Sequence, residues 1–266
     1  FLWALDRLVT GDWPEGTTSV LYISPLKALN NDIRRNLLAP LDELRACFQA
    51  AGEPFPAIRA LTRSGDTPQE DRRRMLRQPP EILITTPESL NLLVSSQGGR
   101  GLLTGLQSVV LDEIHGVVGS KRGVHLITAV DRLVRLSGEF QRIALSATVR
   151  PLERVAEFVG GYHRVSGRGG EGYEPRPVAV LRSAATKKYD VSVRFPEAAV
   201  DGEEGQDETI WPALVEAFET IIDRNRSTLV FANARRLCEK ITRFLNEDRD
   251  QPLAYAHHGS LSREIR

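Results

Sequence analysis

Apolar residues in the first part of the chain follow two alternating patterns. Short runs rich in β-branched residues fall at Ser19–Ile23, Ala57–Leu61, Ile82–Thr85, Ser108–Leu111 and Arg142–Leu145, and they read as buried strands. Between them lie stretches with helical periodicity. These are a helix from about Leu26 to Phe48, a charged helix over Glu70–Leu76, and helices opened by Pro87 and Pro151. A fifth stretch places Leu126, Ile127, Val130, Leu133 and Val134 on one face. Apolar strands alternating with helices predict an α/β fold, with a parallel sheet covered on both faces and right-handed crossovers.

The pattern changes after this. Ser166–Pro177 (SGRGGEGYEPRP) is dominated by Gly, Ser and Pro and reads as a loop or linker. A glycine-rich phosphate cradle would need a helix to follow, and here an extended stretch, Val178–Leu181, follows instead. Val191–Phe195 is a further extended run, and Glu197–Glu208 is acidic and apolar-poor, as a solvated loop would be. A second strand–helix series then begins. Leu214, Val215, Phe218, Ile221 and Ile222 form one helical stripe, and Leu237, Ile241, Phe244 and Leu245 form another. Strands are expected at Thr228–Phe231 and Leu253–Tyr255. The organisation predicted is a first α/β domain over 1–165, a linker with extended segments over 166–208, and the start of a second α/β domain over 209–266. Phe1–Val9 reads as the later part of an amphipathic helix stopped by Gly11, and Ser260–Arg266 as a helix just begun. Both ends are therefore expected to lie inside a longer chain.

Composition narrows the class. With 35 Lys plus Arg against 35 Asp plus Glu, the 266 residues carry no net charge, which argues against a nucleic-acid-coating protein but not against a local basic groove. The two cysteines, Cys47 and Cys238, are far apart and without CxxC or clustered histidines, so neither a disulfide framework nor a zinc site is expected. No apolar stretch approaches the roughly 20 residues of a membrane span and no signal peptide is visible, so the cytoplasm is the expected compartment.

Chemistry concentrates at predicted strand ends. Val109–Leu111 runs into Asp112-Glu113-Ile114-His115. Ligands in open α/β sheets sit beyond the carboxyl ends of strands. There Asp112 would suit Mg²⁺, a cation that prefers hard oxygen ligands and keeps part of its water shell. Glu113 would orient and deprotonate a water attacking a γ-phosphate. Alone, such a pair is as often a surface or capping pair. Ser24-Pro25-Leu26-Lys27 and Thr86-Pro87-Glu88-Ser89 each follow a strand and open a helix, with Thr86 as N-cap and Pro87 in the first turn. Helix capping explains either one separately, and the two together would hold a nucleic-acid backbone without reading bases. Ser64-Gly65-Asp66-Thr67 and Leu145-Ser146-Ala147-Thr148 add further small-residue strand ends, each of which is also an ordinary turn or cap on its own.

In order and spacing this set resembles the superfamily 2 helicases. SPLKALNND is similar to their motif Ia, TTPESL to motif Ib, DEIH to motif II, SAT to motif III, LVFANARR to motif IV, and HHGSLSRE to the motif after it. DEIH followed by GSKRG, LSAT followed by VRPL, and AHHGSLSRE narrow the likeness to the large helicase-related (Lhr) family. The resemblance covers nearly the whole chain and is weakest over Ser166–Trp211. It implies a RecA-like P-loop NTPase fold using ATP and Mg²⁺. Asp112 and Glu113 match the Mg²⁺-binding and water-activating carboxylates, and His115 the residue joining the ATP site to motif III. Ser146 and Thr148 match the hydroxyls that couple nucleotide state to strand binding. Pro25, Lys27, Gly65, Thr86 and Ser89 match first-domain positions near the nucleic-acid backbone, and Asn233, Arg235, His258 and Gly259 match those of the second domain. Lys121 and Arg122 are candidates for nucleic-acid contact by the same likeness only. The family implies 3′-to-5′ movement on single-stranded DNA in DNA repair.

The family's GxxxxGK[ST] loop is expected upstream of Phe1. Motifs V and VI, with the arginine finger, and the winged-helix domain are expected beyond Arg266. These residues alone are therefore expected to hydrolyse ATP negligibly. An RNA-directed helicase, with RNA or a DNA–RNA hybrid as partner, and a non-motor scaffold with a degenerate ATPase core stay open as alternatives. The run Arg72-Arg73-Arg74 with Arg77 reads as a solvated helix face, His125 and His163 as structural, and Trp3, Trp13 and Trp211 as packing residues.

Overall fold

In the computed structural model, residues 1–25, 27–147, 149–167, 170–182, 188–194 and 210–258 are described, with the backbone alone for 27–32, 166, 167, 170 and 171. Two compact units divide the chain, Phe1–Ser183 and Ala184–Arg266.

The first unit opens with α1 (Leu2–Val9), β1 (Val20–Ile23), α2 (Lys27–Ala51), β2 (Ala60–Arg63), α3 (Gln69–Arg77) and β3 (Ile82–Thr85). It continues with α4 (Pro87–Ser95), α5 (Gln97–Leu102), β4 (Ser108–Leu111), α6 (Lys121–Ser137), β5 (Gln141–Ala144) and α7 (Leu152–Gly160). It ends in a hairpin, β6 (Tyr162–Gly167) and β7 (Gly170–Pro175). The sheet is five-stranded, in the order β2-β3-β1-β4-β5, and every pairing is parallel. The predicted α/β class, with its parallel sheet, is what forms.

Strand alternation divides the interior into two cores. Leu21, Ile23, Leu83, Val109 and Leu111 point to one face and pack with Leu90, Leu93, Leu126, Val130, Leu133 and Val155 from α4, α6 and α7. Val20, Ala60 and Ile82 point to the other face and meet Leu5 and Leu8 of α1 and Leu37 and Leu41 of α2. Each fully buried Leu or Ile contributes about 1.5–3 kcal/mol through burial, so sheet position is set from both sides. The continuous apolar runs of β1 and β3 follow, because all four residues of each are buried.

Three expectations need correction. The Gly-rich segment after Tyr162 is not a free linker: it pairs as β6–β7, from Tyr162↔Pro175 to Gly167↔Gly170. Composition depressed its strand propensity, but the ladder is made by backbone groups, and Arg176 anchors its end. The Arg176 N–H donates to Gly161 O at 3.0 Å, and its guanidinium reaches both Glu139 oxygens at 2.8 and 2.9 Å. The second strand sits at Ala60–Arg63, later than expected, because its register is fixed by pairing Ala60 with Ile82. In the second unit, helices α8 (Ile210–Arg224) and α9 (Arg235–Asn246) fall on the expected stripes. Thr228–Phe231 and Leu253–Tyr255 have no ladder partner among the described residues and are not strands there. Leu229 and Phe231 are 81% and 90% exposed, so burial does not hold that segment either. Residues 197–208 lie outside the described residues.

Among the described residues no helix is long and apolar enough to cross a membrane.

Candidate functional site

Because the sheet is parallel, the carboxyl ends of all five strands emerge on one edge. The segments beginning at Ser24, Ser64, Thr86, Asp112 and Leu145 therefore share that edge. Sequence placed chemistry in each of them.

Asp112 leaves β4 with its N–H donating to Ile23 O at 2.9 Å, which pins it beside β1. Its Oδ1 accepts the Glu113 N–H at 2.9 Å, and its Oδ2 accepts the Tyr22 hydroxyl at 2.7 Å. Glu113 then takes a left-handed conformation, φ 50° and ψ 37°, which turns the chain into a 3₁₀ turn over Ile114–Gly116. His115 Nε2 lies 3.1 Å from Glu113 Oε2, and His115 Nδ1 accepts the Ala147 N–H at 3.3 Å. A ring nitrogen that accepts carries no proton, so the neutral ring keeps its proton on Nε2, facing Glu113. The Ile114 N–H also donates to Leu145 O at 3.1 Å. The carboxylate pair is thus tied by side chain and backbone to the segment leaving β5. Burial first, and then the bonded Asp112 carboxylate, hold the Tyr22 phenol above its ordinary range, so the hydroxyl stays a donor. Tyr22 was legible only as an apolar strand residue.

The donor set fits a small hard cation. Asp112 and Glu113 offer oxygen only. Among the described residues no cluster of three or more His, Cys, Asp or Glu is built to enclose a metal. Few protein oxygens beside open space is how Mg²⁺ is held with a nucleotide.

The other edge residues divide into those that face outward and those used internally. Ser146 is exposed. Thr148 and Gly259 lie outside the described residues, and Lys27 is placed only as the first residue of α2. Thr86 is the N-cap of α4. Its Oγ1 accepts the Ser89 N–H at 3.3 Å and its hydroxyl donates to Ser89 Oγ at 3.2 Å, and both residues are buried. Gly65 sits in a turn held by Arg72, whose Nη2 donates to Ser64 O at 3.2 Å and Gly65 O at 2.7 Å. Arg72 therefore braces this loop and is not a solvated face residue. Burial, and then proximity to Arg72, hold Arg63 below its ordinary range. Pro25 is buried, and its carbonyl accepts Arg122 Nη2 at 2.8 Å.

In the second unit Asn233, Arg235 and His258 line one cleft of about 240 Å³, together with Cys238 and His257. His258 Nε2 lies 3.0 Å from Glu239 Oε1 without hydrogen-bond alignment. Asn246 fixes the approach to this cleft: its Oδ1 accepts the N–H groups of Leu253 and Ala254 at 2.8 and 3.0 Å. Neither Cys238 nor Asn246 carried a sequence signal, since both lie on an ordinary amphipathic helix.

A parallel sheet with paired carboxylates at a strand end, linked by a histidine to the next strand's exit, is the arrangement of the first RecA-like domain in superfamily 2 helicases. Comparison with known proteins agrees: the family model described as DEAD/DEAH box helicase matches residues 1–155. The chain belongs to that family and, within it, to the Lhr group that its relatives define. It is 41% identical over 270 residues to the ATP-dependent helicase Lhr-Core of Methanothermobacter thermautotrophicus, covering 98% of this chain and 30% of that protein. It is 40% identical over 267 residues to the Lhr helicase/uracil glycosylase of Escherichia coli, covering 93% of this chain and 16% of that protein. A solved structure of the Mycobacterium smegmatis helicase Lhr, bound to ssDNA and AMP-PNP, superposes with a TM-score of 0.79 at 42% identity. That match covers 99% of this chain and 33% of the other. The chain thus spans a third or less of the length of these relatives.

Proposed function

We propose that this chain is part of an ATP-dependent helicase or translocase that moves 3′ to 5′ along single-stranded DNA in DNA repair, in the cytoplasm. Residues 1–165 together with the β6–β7 hairpin are its first RecA-like domain, the rest of 166–208 is a connecting region, and 209–266 is the start of its second. The observation that carries the reading is the link from Asp112 and Glu113 through His115 to Ala147, which joins the carboxylate pair to the segment that leaves β5 and holds Ser146. The names and bound ligands of the Lhr relatives support it.

When bound, Mg²⁺-ATP supplies the transferable phosphoryl group and the charge that neutralises it. Asp112 would hold the metal, with one oxygen oriented by Tyr22. Glu113 positions a water and takes its proton, and His115 Nε2–H faces the carboxylate that receives it. Movement of His115 is felt at Ala147, so Ser146 and Thr148 carry nucleotide state toward the bound strand. Pro25, Lys27, Gly65, Thr86 and Ser89 shape the first-domain edge for the nucleic-acid backbone, and Asn233, Arg235, His258 and Gly259 shape the second.

The test is ATP hydrolysis by the full-length protein with no nucleic acid, with single-stranded DNA and with single-stranded RNA, beside Glu113→Gln. Hydrolysis stimulated by DNA and lost in Glu113→Gln is expected, with nucleotide binding kept. Stimulation by RNA alone moves the substrate to RNA, and normal turnover by Glu113→Gln removes its role as base.

A further inference from the structure

Arg122 is half-exposed on the first turn of α6, yet its guanidinium bonds across to two other elements through Nε and Nη2. Nε donates to Glu88 Oε1 at 2.6 Å and Nη2 to Glu88 Oε2 at 3.2 Å, a bidentate pair on the first turn of α4. The same Nη2 donates to Pro25 O at 2.8 Å, in the loop before α2. One planar group therefore bonds the loop before α2 and the first turn of α4, two of the segments at the carboxyl edge of the sheet.

The base from which Arg122 projects is fixed. Ser120 caps α6, its Oγ accepting the Gly123 N–H at 3.1 Å. A Cβ at position 123 would run into the Val117 carbonyl, so only glycine allows α6 to start this close to the preceding turn. Nearby, Asn91 Nδ2 donates to His125 O at 3.4 Å and to Pro87 O at 3.0 Å, a second tie between α4 and α6. Arg122 also follows the Asp112–His115 turn by a few residues, so one short stretch carries the carboxylates and this brace.

We propose that Arg122 is a positioning residue for single-stranded nucleic acid, setting the spacing between the Pro25 loop and the first turn of α4 so that both meet one backbone. The inference rests on the motor reading above. Backbone recognition needs donors at the phosphate repeat, and the two segments belong to different helices with no covalent reason to keep step. Lysine cannot substitute, because its ammonium is a point charge without a fixed fork. Within this arrangement the bonded guanidinium, as the leading cause, holds Glu88 below the ordinary carboxylate range, so the brace is charged throughout the neutral region.

The experiment is fluorescence anisotropy of a labelled oligo-dT strand with the full-length protein and a non-hydrolysable ATP analogue, across a salt series. Arg122→Ala is expected to weaken binding on the order of tenfold, with the slope of log affinity against log salt unchanged. Arg122→Lys is expected to weaken it comparably. Glu88→Ala should do the same, and the double variant should be no weaker than Arg122→Ala, because both remove one interaction. Should Arg122→Ala fail to fold, Glu88→Gln keeps the side-chain shape and gives the same direction. Wild-type affinity in Arg122→Ala, with the wild type binding DNA, overturns this inference alone. So does a salt slope lowered by about one together with rescue by lysine, the mark of a direct phosphate contact. A wild type that binds no strand removes the motor reading and this inference with it.

Discussion

Glu81 offers a direct measure of how the sheet is held at the edge away from the site. It immediately precedes β3, and its side chain is 1% exposed. Its Oε1 accepts the Gly16 N–H at 2.9 Å and its Oε2 the Arg59 N–H at 2.8 Å. The Arg59 guanidinium adds bonds at 3.2 and 3.4 Å. One carboxylate thus fastens the loop before β1, the approach to β2 and the start of β3. Removing one partner of a buried pair typically costs about 3–5 kcal/mol. Here Arg59 is 38% exposed and Gly16 lies at the surface, so both regain water, and the expected cost of Glu81→Ala falls to about 2–4 kcal/mol. Glu81→Gln keeps one acceptor but turns an NH₂ toward donors, and about 1–2 kcal/mol is expected. The assay is urea unfolding followed by tryptophan emission in a Trp211→Phe background, which leaves Trp3 and Trp13, both in the first unit, as reporters. A Glu81→Ala chain within about 0.5 kcal/mol of its parent would refute the reasoning, because three connected segments cannot all depend on a group that is dispensable.

Two further outcomes follow from the same geometry. Arg176, as the leading cause, holds Glu139 below its ordinary 4.5. A depressed carboxylate contributes stability that is complete above that value and lost as pH falls through its folded value. Glu139→Gln should therefore lower the urea midpoint at neutral pH, by about 1 kcal/mol for a pair whose carboxylate is half-exposed, and match the wild type in acid. Asn246→Ala should release Leu253 and Ala254, read as faster hydrogen exchange at those two amides with α9 still protected.

Most of the sheet was legible because it is buried on both faces. Ile82–Thr85 and Ser108–Leu111 coincide with their predicted runs, since an apolar run with turn residues on either side has few other ways to bury itself. The helices of the second unit were legible from the helical spacing of their apolar stripes. Residues 162–175 were not, because a ladder made by backbone hydrogen bonds leaves little trace in side-chain type. At the site, Asp112, Glu113 and His115 were legible from their place after a strand. Tyr22 and the bracing role of Arg122 were not. Each acts on a residue far along the chain, Tyr22 on Asp112 and Arg122 on Pro25 and Glu88, and neither spacing is a local pattern.

The two edges of the sheet differ in how their charges are used. At the amino ends of the strands, Glu81 is enclosed by Arg59, and Arg142 by Asp131 and the Val159 and Gly160 carbonyls. Burial, the largest influence, holds Arg142 below its ordinary range despite those partners, which shows how far that end is closed. At the carboxyl end of β4 the opposite holds. Glu113 is 39% exposed and pairs with His115, and its backbone sits at a positive φ that a residue with a Cβ adopts at a cost of about 1–2 kcal/mol. Such a backbone conformation lowers stability, and neither core is improved by it. That strain turns the carboxylate out of β4 and toward His115, so the conformation that weakens the fold is the one that connects the carboxylate to Ala147.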